Sequence, residues 1–77
     1  MSEIVTVPKL GLTMTEATIG EWLALPGDRV SEGESLVEIE TDKITHMVTA
    51  PRAGTVLALF AGTGDVLPVS SPLCELE

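Results

Sequence analysis

The sequence predicts an all-β domain, a small sandwich or barrel, and three observations carry that prediction. Glycine or proline recurs at positions 8, 11, 20, 26, 27, 33, 51, 54, 62, 64, 68 and 72, which cuts the chain into pieces mostly too short for a stable helix. The one long uninterrupted piece, Glu34 to Ala50, contains Val37, Ile39, Thr41, Ile44, Thr45, Val48 and Thr49, β-branched residues whose restricted rotamers suit a pleated strand. The second half of the chain also repeats the first. Many short strands separated by frequent turns are the pattern of a sandwich or barrel.

The strands follow in order. Ile4 to Val7 is the first, ended by Pro8; "KLGLTMTE", Lys9 to Glu16, reads as an exposed loop; Thr18 to Leu23 is the second. A very short piece lies near Arg29-Val30. Glu34 to Ala50 divides into two strands around a turn at "TDKI", where aspartate tolerates turn geometry. Thr55 to Phe60, a short piece at Val66-Leu67, and Leu73 to Leu76 complete the set.

The repeat is ungapped. Shifting the chain by 37 residues lays "ATIGEWLALPGDRVSEGESLVEIE" (17–40) over "GTVLALFAGTGDVLPVSSPLCELE" (54–77), with Trp22 on Leu59, Gly27-Asp28 on Gly64-Asp65, Val37 on Cys74 and Glu38 on Glu75. Upstream, "TVP" (6–8) matches "TAP" (49–51) at an offset of 43, so the first half carries six extra residues within Lys9 to Glu16. Two such halves, each unable to cover its own apolar face, stack about a pseudo-twofold axis and share one core. The expected result is a small flattened barrel, with the turn after Glu40 at one end and the chain termini at the other. The extra loop is free to fold toward that turn.

Seventy-seven residues make one domain, residues 1–77. Twelve acidic against four basic residues give a net charge of -8, a surface that repels phosphate backbones and anionic lipid, so neither nucleic acid nor a membrane is an expected partner. A basic protein surface is the complementary one. The single Cys74 cannot form an intrachain disulfide or the common multi-cysteine zinc patterns. No segment approaches the roughly 18 apolar residues of a membrane span, and the start "MSEIVTV" lacks a basic leader. The expected location is the cytoplasm, or the mitochondrial matrix if a presequence has been removed.

Lys43, one of the four basic residues, sits in the turn. Period-two alternation puts Glu38, Glu40 and Asp42 on the water side of their strand and Val37, Ile39 and Thr41 on the other. A lysine at a hairpin tip is most often a solubilising residue. The surrounding residues argue for more. "EIETDKI", the upstream "PKLGLTMTEATIGEW", the "GD" and "EGESL" punctuation, and the later "APRAGTV" and "GDVLPVSSPL" together resemble the lipoyl domain of 2-oxo acid dehydrogenase complexes, from about Val7 to Glu77.

That resemblance implies a flattened barrel (barrel-sandwich hybrid) of two four-stranded antiparallel sheets, with lipoic acid amide-linked to Lys43. It implies a non-catalytic, covalent swinging-arm carrier that belongs to, or works beside, an acyltransferase subunit. The implied partners are a thiamine-diphosphate-dependent dehydrogenase that reductively acylates the dithiolane, an acyltransferase core that passes the acyl group to coenzyme A, and a flavin-dependent dihydrolipoyl dehydrogenase that reoxidises the dithiol. A lipoate ligase or lipoyl transferase would attach the cofactor, so Lys43 needs no base beside it. Tethering supplies effective concentration at each active site.

The chain departs from the family in places. It has "ITHMVTAP" after the lysine where many lipoyl domains read "ATMEVEAP", and "KLGLTM" with the Ile44-Thr45 pair is closer to the acetoin dehydrogenase branch than to pyruvate dehydrogenase. Two rivals stand beside the lipoyl reading. A biotin carrier domain of a carboxylase has methionine on each side of its lysine, whereas this chain has Asp42 and Ile44; an unmodified acidic interaction module needs no cofactor at all.

Other residues with chemical potential read as structural. His46 has no serine or cysteine motif and no second histidine near it, so it reads as a strand-rim residue. Glu38, Glu40 and Asp42 lie along one strand without loop ligands and cannot wrap a calcium ion. Cys74 and Trp22 read as packing residues, Cys74 as a buried or half-buried thiol. Met14 and Thr15, in the loop that breaks the repeat, are the candidates for partner contact.

Overall fold

The computed structural model describes residues 2–12, 14–42 and 44–77. Every regular element among them is a strand: β1 Glu3–Thr6, β2 Glu16–Trp22, β3 Arg29–Val30, β4 Ser35–Glu40, β5 Thr45–Thr49, β6 Gly54–Leu59, β7 Val66–Pro68 and β8 Pro72–Leu76. All eight coincide with the strands read from the sequence, with shifts of one or two residues at their ends. They form two four-stranded antiparallel sheets, ordered β1-β8-β6-β3 and β5-β4-β2-β7. The molecule measures 32 × 21 × 17 Å, a flattened shape.

The pseudo-twofold is visible in the strand registers. Ile19 pairs with Ile39 and Trp22 with Val37; adding 37 to each number gives Val56 with Leu76 and Leu59 with Cys74, the pairs found in the other sheet. The outer strands obey the same rule at the offset of 43. His46 opposite Ile39, Met47 opposite Glu38 and Val48 opposite Val37 match Glu3 opposite Leu76, Ile4 opposite Glu75 and Val5 opposite Cys74. The turns repeat too. An Asp28 carboxylate oxygen accepts from the Leu25 N–H at 2.9 Å, and Asp65 accepts from Gly62 N–H at 2.9 Å.

One face of each sheet makes the shared core. Its largest fully buried members include Ile19, Leu36, Val37 and Ile39 from the first half and Val56, Leu73, Cys74 and Leu76 from the second. Each buried Leu or Ile contributes on the order of 1.5–3 kcal/mol by leaving water. No charged or polar residue is buried among the described residues.

Strict alternation along β4 needs one amendment. Val37 and Ile39 point inward as expected, but Leu36 is fully buried as well. The pairing of β4 with β5 is irregular between Ser35 and Val37, and a bulge of this kind turns two successive side chains to one side. Glu38, expected in water, is half-buried. It lies across Gly20, where a Cβ would come within 2.9 Å of its Oε1 and 3.0 Å of its carbonyl oxygen.

Candidate functional site

The hairpin between β4 and β5 is closed by two residues. Glu40 pairs with Thr45, and beyond them the Thr41 N–H donates to the Ile44 carbonyl at 2.9 Å. The Thr41 hydroxyl accepts from the Ile44 N–H at 3.3 Å and donates to the Ile44 carbonyl at 3.4 Å. Asp42 is exposed, and Ile44 is 47% exposed although apolar. Lys43, the residue expected to carry the cofactor, lies outside the described residues. Its neighbours on both sides face solvent.

The loop that breaks the repeat lies across a cleft from this hairpin. The Met14 N–H donates to the Gly11 carbonyl at 3.2 Å, the Leu10 N–H donates to the Met14 Sδ at 3.2 Å, and both Leu10 and Met14 pack against the core. Between loop and hairpin runs an open cleft of about 670 Å³. Leu10, Met14 and Ile44 give it an apolar lining, and Glu16, Glu40 and Asp42 an acidic one. Met14 and Thr15, expected as contact residues, both line it. Leu10 was not singled out by sequence, and neither was Leu12, which is 96% exposed on the same loop. The six-residue excess of the first half was the available signal, but it marks a segment rather than a side chain.

The remaining polar residues are dispersed. His46 is exposed on the outermost strand β5, opposite Ile39. Cys74 is fully buried, and that burial pushes its thiol pKa above the ordinary 9.0, which leaves it protonated and inert at neutral pH. Trp22 is half-buried and its indole N–H donates to the Ala61 carbonyl at 3.0 Å. No group of three or more His, Cys, Asp or Glu positioned to hold a metal ion occurs among the described residues. What this end of the molecule offers, among the described residues, is an exposed hairpin end beside an apolar and acidic cleft.

Comparison with known proteins gives that surface a context. The biotin/lipoyl family model, described as "Biotin-requiring enzyme", matches residues 3–76. The chain is 50% identical over 77 residues to the dihydrolipoyllysine-residue succinyltransferase component of the 2-oxoglutarate dehydrogenase complex of Rickettsia typhi, covering 100% of this chain and 19% of that protein. It is 44% identical over 69 residues to the dihydrolipoyllysine-residue acetyltransferase component of the acetoin cleaving system of Cupriavidus necator, covering 90% of this chain and 18% of that one. The chain thus spans about a fifth of the length of the curated relatives it matches. The solution structure of the lipoyl domain of the 2-oxoglutarate dehydrogenase complex from Azotobacter vinelandii superposes with a TM-score of 0.79 at 28% identity, covering 97% of this chain and 96% of that one.

Proposed function

We propose that this chain, which belongs to the biotin/lipoyl attachment family, is a covalent lipoyl carrier with lipoate amide-linked to Lys43, serving a 2-oxo acid or acetoin dehydrogenase complex. The likeness to a lipoyl domain over nearly the full length of both chains carries this reading. The site suits the group. Attachment requires a lysine that a second enzyme can reach, and the flanking Asp42 and Ile44 are both solvent-exposed on a closed hairpin.

Attachment forms one amide bond. The Lys43 amine, after giving up a proton to solvent, attacks the carboxyl carbon of an activated lipoyl group on a separate ligase or transferase. A carbon–nitrogen bond forms, the bond to the activating group breaks, and one positive charge disappears from the carrier. Held on Lys43, lipoate would supply dithiolane chemistry, the carriage of an acyl group and two electrons between other active sites. The protein's own part is mechanical and electrostatic. The paired strands hold the turn away from the core, and the acidic cleft rim favours partners with basic docking surfaces.

On this reading the domain itself, residues 1–77, is non-catalytic. Its partners are a thiamine-diphosphate-dependent dehydrogenase, an acyltransferase core, a dihydrolipoyl dehydrogenase and the attaching enzyme, in the cytoplasm or the mitochondrial matrix. The tether turns each encounter into a nearly intramolecular one. Biotin fits the residues less well, because Asp42 and Ile44 occupy the positions that methionine holds in biotin carriers.

Intact mass tests this directly. Incubated with lipoate, ATP and a lipoate ligase, the protein gains one lipoyl group, and Lys43→Arg gains none while keeping its fold. With biotin and a biotin ligase neither protein changes mass. An unmodified wild-type product, or a lipoyl group retained by the arginine variant, overturns the proposal.

A further inference from the structure

The hairpin tip has few supports. Strand β5 is outermost in its sheet, and the pairing of β2 with β4 ends at Thr18 opposite Glu40, so among the described residues no neighbouring strand pairs with the chain beyond Glu40. Among the described residues from Glu40 to His46, the Thr41 hydroxyl is the only side-chain group that hydrogen-bonds the backbone. It engages both polar backbone groups of Ile44, accepting at 3.3 Å and donating at 3.4 Å, over the direct backbone bond of 2.9 Å. One side chain therefore links the two strand ends on either side of position 43, Thr41 and Ile44.

We propose that Thr41 is a positioning residue for modification of Lys43, its hydroxyl holding the flanks of that position in the arrangement that the attaching enzyme accepts. This inference rests on the carrier reading above. Its physical content is a population argument. An enzyme that accepts one backbone arrangement binds the domain with an affinity reduced by the fraction of molecules that lack it. Loss of the hydroxyl lowers that fraction. The apparent KM for the domain as substrate rises by the same factor, and kcat, set after binding, stays unchanged. A side chain important only for global stability shows the opposite signature, a lower melting temperature with no change in KM below it.

The reaction is the attachment step already described, in which the Lys43 nitrogen displaces the activating group from lipoate. The experiment measures steady-state lipoylation of the whole chain by lipoate ligase, with lipoate and ATP in excess, for the wild type, Thr41→Val and Thr41→Ser. Valine keeps the β-branched shape and removes the hydroxyl; serine keeps the hydroxyl. The expected result is an apparent KM raised in Thr41→Val, by up to about tenfold, the limit that one hydrogen bond sets. Serine restores it. Amide hydrogen exchange at Ile44 should be faster in the valine variant and near wild type in the serine variant. Wild-type protein that is lipoylated, with equal KM values across the three proteins, overturns the role of Thr41 and leaves the carrier reading standing. A wild-type protein that is not lipoylated overturns the carrier reading and this inference with it.

Discussion

Ser70 stands, with a backbone φ of 74°, where the first half of the molecule places Gly33, with a φ of 83°. The two residues are 37 apart and make corresponding bonds: the Gly33 N–H donates to the Ala50 carbonyl at 2.8 Å, and the Ser70 N–H to the Val7 carbonyl at 2.9 Å. The turn requires the left-handed conformation in both halves, and only the first half has a residue without a Cβ there. Ser70 therefore bears a cost that Gly33 avoids.

That cost can be recovered. Relieving a left-handed L-residue gains roughly 1–2 kcal/mol, against which a new glycine loses some 0.5–1 kcal/mol to the greater freedom of the unfolded chain. Ser70→Gly is expected to stabilise the fold by about 0.5 kcal/mol or more, and Gly33→Ser to destabilise it by a similar or larger amount. Urea midpoints measure both. Destabilisation by Ser70→Gly would contradict the argument.

Gly54 has a different constraint. A Cβ at this position would run into the carbonyl oxygen of Glu77, which is fixed by reciprocal backbone bonds with Thr55 at 2.9 Å. Gly54→Ala should cost about 1–3 kcal/mol, the range for forcing atoms into an occupied site. Thermal melts provide the measurement. The symmetry-related residue is already alanine, Ala17, and is buried without difficulty, so a reading by sequence equivalence would expect the change to be harmless.

The Cys74 thiol makes stability depend on pH at the alkaline end. Burial raises its folded pKa above 9.0, so the folded state holds this proton more tightly than the unfolded one. Its contribution is complete below pH 9.0 and is lost as pH rises from there through the folded value. In urea titrations the decline above that pH should be shallower for Cys74→Val, which places at this position the residue found at Val37. Equal slopes for both proteins would refute the assignment. The native thiol should also resist alkylation at neutral pH and react only on unfolding.

The eight strands and their twofold arrangement were legible because each half carries the same spacing of apolar residues and turn residues, whereas register came from the strand pairing itself. The alignment of the chain with itself made Trp22 equivalent to Leu59 and Val37 to Cys74, and the structure pairs Trp22 with Val37 and Leu59 with Cys74. Leu36 was less legible. A bulge breaks period-two alternation without altering the residues that define it, so the burial of two neighbours in β4 emerges only from strand pairing. The cleft followed the same course: six extra residues announced a loop, while the seating of Leu10 and Met14 against the core depended on contacts made across the fold.

By itself the chain determined an all-β fold, its internal symmetry, and the hairpin between β4 and β5, because these depend on local preference and repetition. Tertiary structure decided which equivalent positions are not interchangeable: why Gly54 resists the alanine of its partner site, and why Ser70 bears a conformation suited to glycine. Such differences arise from close approaches between segments distant in sequence, and one atom's placement in a packed interior depends on all its neighbours.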